Sequence, residues 1–218
     1  MKHRSTLLVL VACGATALAA SAKAGALHGP IDQGTFALSA ERLMGVFRAN
    51  EKVANNASAG TTVFGLFGNG ASNAFQSPRV GLDGFIVDGL SLGGSLGIVH
   101  IARENDSSTG ILIAPRVGYA YMFSDVVGIW PRGGLSYWTA STSPDNGPGS
   151  FSQHDFAFNL DVPLIIAPNQ HFAITIGPIL DVTFGGKQTT SPGNGQPDRS
   201  DDHSLTGFGL SAGVVGFL

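Results

Sequence analysis

The chain is poor in charge, nearly free of cysteine, and has no long apolar run in its main body. Only 12% of its 218 residues are Asp, Glu, Lys or Arg, about half of the roughly 25% usual in soluble domains. A water-facing surface with so little charge is unusual. The single cysteine is Cys13, so the rest of the chain has no disulfide framework and no thiolate metal site. Lys and Arg form no cluster, which argues against nucleic acid as a partner. After Ala24 no stretch of about 18 apolar residues occurs, so no transmembrane helix is expected. With 43% hydrophobic residues and a formal charge of only -3, the chain also lacks the composition of a disordered protein.

The N-terminus has the form of a secretory signal. Lys2, His3 and Arg4 make a basic start, and Leu7 to Ala12 begin an apolar stretch that runs through small residues to Ala20. Ala20-Ser21-Ala22 and Ala22-Lys23-Ala24 are small-x-small cleavage sites. Leu10-Val11-Ala12-Cys13 also matches a lipoprotein box, but the small-residue sites further on favour ordinary cleavage. The expected division is a signal peptide at 1–24 and one domain at 25–218. Removing Lys2, Arg4 and Lys23 takes the formal charge from -3 to -6.

The body of the chain alternates with period two, the signature of strands. Leu90, Leu92, Leu96 and Ile98 share one face, opposite Ser91, Gly93, Ser95 and Gly97. The same pattern sets Ile111 to Phe123 against Leu112, Ala114, Arg116 and Gly118. It recurs at 78–87, 127–138, 154–166, 172–184 and 204–218. The run at 35–48 is less regular: Phe36, Leu38 and Ala40 share a face, and Leu43 and Phe47 fall out of phase with it. A β-bulge at Glu41-Arg42 would restore the phase and turn both charges inward. A straight strand with Arg42 outward would cost roughly 2–4 kcal/mol at mid-membrane. Pro115, Pro131, Pro163 and Pro178 fall inside the runs, where each lacks a ladder donor; all four are expected on the outward face.

These runs make eight strands. Short connections at 88–89, 124–125 and 167–170 alternate with long polar ones at 49–77, 102–110, 139–153 and 185–203. Tight periplasmic turns and long extracellular loops alternate in this way in outer-membrane barrels. The expected fold is all-β: a single closed antiparallel up-and-down barrel of eight transmembrane strands. Its apolar face would meet lipid, and its small residues would fill a narrow interior. Closure would satisfy every backbone group, as the bilayer requires. Tyr119, Tyr121, Phe123, Tyr137, Phe156, Phe158, Phe172 and Phe184 lie near strand ends, where interfacial girdles form.

From Gly34 to Leu218 these patterns resemble the small outer-membrane barrels of the OmpA/OmpX type, and less specifically the OmpW type. The last strand carries the resemblance best, with Phe208, Leu210, Ala212, Val214, Gly216 and Leu218 alternating to the end. The resemblance implies outer-membrane lipid as the surroundings, the barrel-assembly machinery as a partner during biogenesis, and a monomer. It implies neither a cofactor nor a metal, and no extracellular ligand is indicated.

The candidate site is a set of charges assigned to the interior: Glu41, Asp83, Arg116, Arg132, Asp161 and Asp181. Buried charges need partners, so the expected role is a structural salt-bridge network that fills the barrel. A gated pore or a ligand site is the sharper alternative. Catalytic signals are sparse. His154-Asp155 and Asp202-His203-Ser204 stand at loop–strand junctions, where a His–Ser–carboxylate set could hydrolyse lipid. Asp198, Asp201, Asp202 and His203 match no calcium loop. Gly65 to Asn69 is Gly-rich, but lacks the strand-then-helix context of a phosphate loop. The expected function is an outer-membrane protein with a structural or surface-interaction role and no catalysis. The alternatives are a lipid-active enzyme using His154 or His203, a narrow pore, and a soluble periplasmic ligand-binding barrel.

Overall fold

A computed structural model describes residues 31–54, 58–67, 74–102, 106–144, 149–193 and 195–218. The 1–24 segment lies outside the described residues. The strands are β1 (Phe36–Val53), β2 (Ala59–Leu66), β3 (Arg79–Val87), β4 (Leu90–Ala102), β5 (Asp106–Tyr119), β6 (Tyr121–Met122), β7 (Val127–Ile129), β8 (Arg132–Pro144), β9 (Ser150–Asp161), β10 (Leu164–Asn169), β11 (Phe172–Ser191) and β12 (Arg199–Phe217). A short 3-10 turn, Ala74–Gln76, lies between β2 and β3.

The wall runs β12-β1-β3-β4-β5-β8-β9-β11, and β11 pairs back onto β12 to close it. That makes an eight-stranded antiparallel barrel. β6, β7 and β10 continue β5, β8 and β9 past short interruptions. Two of these interruptions hold prolines, at Trp130-Pro131 and Val162-Pro163, because proline cannot donate to a ladder. Pro115 and Pro178 are exposed on the outward face. Pro163 is buried and faces inward, against expectation; it follows the parity of Asp161, which the strand break leaves unchanged. The carbonyl of Pro163 accepts a hydrogen bond from Trp130 N at 2.8 Å, so the wall stays joined across the gap.

The outward surface is apolar. Leu38, Val46, Leu82, Leu92, Ile98, Ile113, Val117, Leu135, Phe158, Ile174 and Leu210 are all more than 40% exposed. From Phe172 to Val182, β11 extends about 33 Å at ~3.3 Å per residue. At a tilt near 40° this is about 25 Å of height, the thickness of the apolar band of membrane barrels. Aromatic rings mark both margins. Tyr137, Phe156 and Phe184 form a chain on neighbouring strands, with centroids 4.8 and 6.4 Å apart. Tyr121 and Phe123 stand 5.4 Å apart at the other margin.

The long connections are shorter than expected. β1 runs on to Val53, β8 to Pro144, β11 to Ser191 and β12 starts at Arg199. Above the band the outward residues become Ser and Thr, for example Ser141, Ser152, Thr189 and Ser200. The apolar cue therefore stops while backbone pairing continues into water.

The interior is layered. At the end of the barrel that carries the short turns Phe85, Trp130, Ile165, Val215 and Phe217 pack together, with Phe85 stacked on Trp130 at 5.5 Å. Towards the end that carries the long hairpins Phe75, Leu112, Trp138, Ala157 and Leu205 form a second apolar layer. Phe75 comes from the 3-10 turn Ala74–Gln76, which packs inside the lumen.

Candidate functional site in the barrel lumen

Between the two apolar layers lies a layer of charge. β1 delivers two of its members through a bulge. Ala40 pairs with Val214 and Met44 with Ala212, so Glu41, Arg42 and Leu43 stand opposite Gly213 alone. Arg42 takes a left-handed backbone, φ 53°, and both Glu41 and Arg42 are buried. The bulge carries two extra residues, and an even number preserves the faces of the strand. Phe47 consequently points inward, 2% exposed, and does not join Phe36 and Leu38 on the lipid face.

Arg116 of β5 is the hub. Its Nε donates to Asp83 Oδ1 at 3.0 Å and its Nη1 to Glu41 Oε2 at 2.8 Å. Nη2 lies 2.7 Å from Glu41 Oε1 and 2.5 Å from Asp83 Oδ2. Arg132 Nη1 reaches Glu41 Oε1 at 2.7 Å and its Nη2 lies 3.6 Å from Asp161. Arg42 joins Asp181 at 2.7 Å and Asp161 at 3.0 Å, and also donates to the Phe75 carbonyl. Ser39 donates to Glu41 Oε1 at 2.8 Å. The six expected residues thus share one layer.

Arg42 and Arg79 complete it. Arg79 is buried and lies 3.5 Å from both Ser95 Oγ and the Phe75 carbonyl. Its signal was parity, since it lies four residues before Asp83 on the same face of β3. With both included, four guanidinium groups face four carboxylates, and the layer is neutral. Arg132 also lies over the Trp130 ring at 4.8 Å, and Trp130 Nε1 donates to Ser91 at 3.0 Å.

Glycine makes room for these long side chains. A Cβ at Gly81 would stand 2.6 Å from Arg116 Nη2, and one at Gly118 would stand 2.8 Å from Trp130 Nε1. A cavity beside Glu41, Arg42, Arg132 and Asp161 has about 10 Å³, room for about one water.

A second polar cluster stands nearer the end that carries the long hairpins. His203 Nδ1 lies 2.7 Å from Asp155 Oδ1 and its Nε2 lies 2.9 Å from Glu51 Oε1. Gln153 Nε2 donates to Asp155 Oδ2 at 2.6 Å. The flanking outward residues are polar (Asp202 and Ser204 beside His203), so the cluster lies outside the hydrocarbon band. Burial alone would lower the His203 pKa, but hydrogen bonds to Asp155 and then Glu51 outweigh it and push the value up to about 9. The hydrogen bond with His203 holds Glu51 below the usual carboxylate range. The cluster ties β9, β12 and β1 together across β11, where a Cβ at Gly186 would collide with Asp155 Oδ1.

The sparse catalytic signals do not converge. His154 follows the outward parity of Phe156, while Asp155 and His203 point inward. Both His203 nitrogens are engaged by carboxylates, so the ring has no free base. Asp202 faces outward and Asp201 lies 2.9 Å from Arg199. Among the described residues no group of three His, Cys, Asp or Glu could hold a metal ion. Gly65 belongs to β2, and Gly68 and Asn69 lie outside the described residues.

A closed eight-stranded barrel with an apolar exterior and a charged, filled interior has the fold of the small outer-membrane barrels. Solved structures agree. AlkL, determined in DMPC lipid bilayers, is similar with a TM-score of 0.55 and 13% identity, over 89% of this chain and 94% of that one. Neisserial surface protein A gives 0.50 and 12%, over 84% and 99%. OprG from Pseudomonas aeruginosa gives 0.50 and 8%, over 86% and 97%. No protein-family description and no curated protein matches the sequence.

Proposed function

We infer that this chain is an integral outer-membrane protein whose barrel anchors extracellular hairpins, with a structural or surface-interaction role and no catalysis. The observation that carries the reading is the filled lumen. Two apolar layers enclose a neutral layer of four arginines and four carboxylates, all of them buried. Such an interior supports a plug more than a pore. The apolar exterior disfavours a soluble barrel with a ligand inside, because that fold would reverse the two faces. The engagement of both His203 nitrogens disfavours His203 as a catalytic base.

Cell fractionation with SDS-PAGE of boiled and unboiled samples tests the reading. The expected result is an outer-membrane protein whose band shifts on heating. In planar bilayers the purified protein is expected to give no steady conductance. A soluble periplasmic protein without a heat shift refutes the membrane role, and stable open channels refute the plugged lumen.

A further inference from the structure

Arg79 stands apart from the other three arginines of the lumen. Arg116 holds Glu41 and Asp83, Arg132 holds Glu41 and Asp161, and Arg42 holds Asp161 and Asp181. All four carboxylates therefore have partners without Arg79. Among the described residues no ion pair includes it, although it is only 4% exposed. Its hydrogen-bonding contacts are two uncharged oxygens, Ser95 Oγ and the Phe75 carbonyl, both at 3.5 Å. Its Nε has no protein partner. A buried guanidinium needs stronger acceptors than these.

The Phe75 carbonyl draws a second guanidinium, because Arg42 Nη1 also donates to it. Two cations thus converge on one uncharged oxygen. Such a place suits an anionic oxygen better, since hydrogen bonds to an ionised acceptor are about twice as strong as neutral ones. The carbonyl belongs to the 3-10 turn Ala74–Gln76, which is no part of the wall: β1 pairs with β3 from Phe36 to Glu41 and with β2 from Met44 to Glu51. The turn can yield without breaking a strand pair.

The ring of the same residue marks the other half of the site. Phe75 packs in the apolar layer of Leu112, Trp138 and Leu205. A Cβ at Gly97 would lie 3.5 Å from Leu112 Cβ and 3.7 Å from Arg79 Cβ, so Arg79 is rooted at the foot of that layer. Phe75 presents an oxygen to the guanidinium groups and a benzyl group to the apolar side chains. A small molecule with a carboxylate and an aromatic ring on a short linker reproduces both contacts and adds the missing charge.

We propose that Arg42, Arg79 and Ser95 form the carboxylate end of a lumenal site for a small arylalkyl carboxylic acid, and that the Phe75 turn is the resident which the acid displaces. The proposal rests on the closed-barrel reading above. The carboxylate takes the place of the Phe75 carbonyl and gives Arg79 its ion pair. Arg42 keeps Asp161 and Asp181. The ring of the acid replaces that of Phe75 against Leu112, Trp138 and Leu205.

The test uses the full folded protein in detergent micelles and ligand-observed NMR titrations, with protein-free micelles as the blank. The probes are 3-phenylpropionate, its uncharged amide 3-phenylpropanamide, and propionate, which lacks the ring. The aryl acid is expected to bind about tenfold more tightly than either of the others, because the amide loses the charge-assisted bonds and propionate the apolar contacts. R79Q, which removes no partner from any of the four carboxylates, is expected to keep the heat-shifting band and to bind acid and amide equally. F75A vacates the place of the ring and is expected to bind the acid about threefold more tightly than wild type, since the resident competes less. Equal binding of acid and amide by wild type overturns the proposal, as does an acid preference that survives in R79Q. No gain in F75A overturns the shared place of ring and ligand. Should R79Q lose the heat shift, the ratio of acid to amide in wild type and in F75A still decides. A heat-shifting wild-type band with no preference for the acid removes the site and leaves the barrel reading standing; absence of that band removes both.

Discussion

Replacing Arg116 by Met tests whether the charged layer acts as a balanced unit. Asp83 is fully buried, and Arg116 holds it through two nitrogens. Glu41 would keep Arg132 and Ser39, but Asp83 would be left as a buried charge without a salt bridge. Breaking a buried pair from one side costs about 3–5 kcal/mol. Asp83→Asn alone should cost less, roughly 1–3 kcal/mol, because Arg116 keeps both contacts to Glu41. The double variant R116M/D83N leaves three cations facing three carboxylates. It should lie within about 2 kcal/mol of wild type, since removing both partners of a buried pair is often near neutral. The double variant should therefore be more stable than R116M. Urea unfolding in lipid vesicles, followed by the fluorescence of the lumenal Trp130 and Trp138, reads all four proteins. A loss below about 1 kcal/mol for R116M, or a double variant no better than it, refutes the reasoning.

Three further outcomes are expected. His203 has a folded-state pKa raised to about 9 from its ordinary 6.5, so its stabilising effect is complete below about 6.5 and is lost as pH rises through about 9; the wild-type unfolding midpoint should fall across that window, and that of H203Q should stay flat. Ile113 faces lipid in the middle of β5, 52% exposed, and Ile113→Arg should cost about 2–4 kcal/mol in the vesicle assay, whereas Ser141→Arg, above the band, should cost at most about 1 kcal/mol. Deleting Leu43 leaves one extra residue in the β1 bulge, which either turns Arg42 into lipid or exchanges the faces of 44–53; the heat-shifting band should disappear, and a deletion that folds with wild-type stability would contradict the bulge geometry.

The wall could be read from the residues because lipid imposes a strict period of two. Strands β3, β4, β5, β9, β11 and β12 keep their outward apolar residues on one parity throughout the band. The same parity sets Asp83, Arg116, Arg132, Asp161 and Asp181 inward. Three features carry no such signal. Above the band both faces are polar, so hairpins that continue for several residues look like loops. Phe75 enters the lumen from a segment between β2 and β3 with no strand pattern of its own. The His203 cluster unites β9, β12 and β1 across 152 residues from Glu51, and no local spacing reports it. Pro163 shows a subtler limit: a proline that interrupts a strand need not change which face the next residue takes.

The size of the β1 bulge links the interior to the lipid-facing surface. Glu41 and Arg42 enter the lumen only because three residues stand opposite Gly213. A bulge with one extra residue would also turn them inward, but it would exchange the faces of everything after it. Arg48 and Lys52 would then point into the layer occupied by Phe75, Leu112 and Trp138, where an unpaired cation is costly. Met44 and Val46 would leave the lipid face, and Phe47 would leave the lumen for it. With two extra residues the faces return to phase, so Met44 and Val46 meet lipid and Arg48 and Lys52 stay on the outward face. The left-handed backbone of Arg42 is a strained conformation for a residue with a side chain, of order 1–3 kcal/mol. Its two carboxylate partners offset that strain, and the same turn leaves the rest of β1 with cations outside and aromatic packing inside.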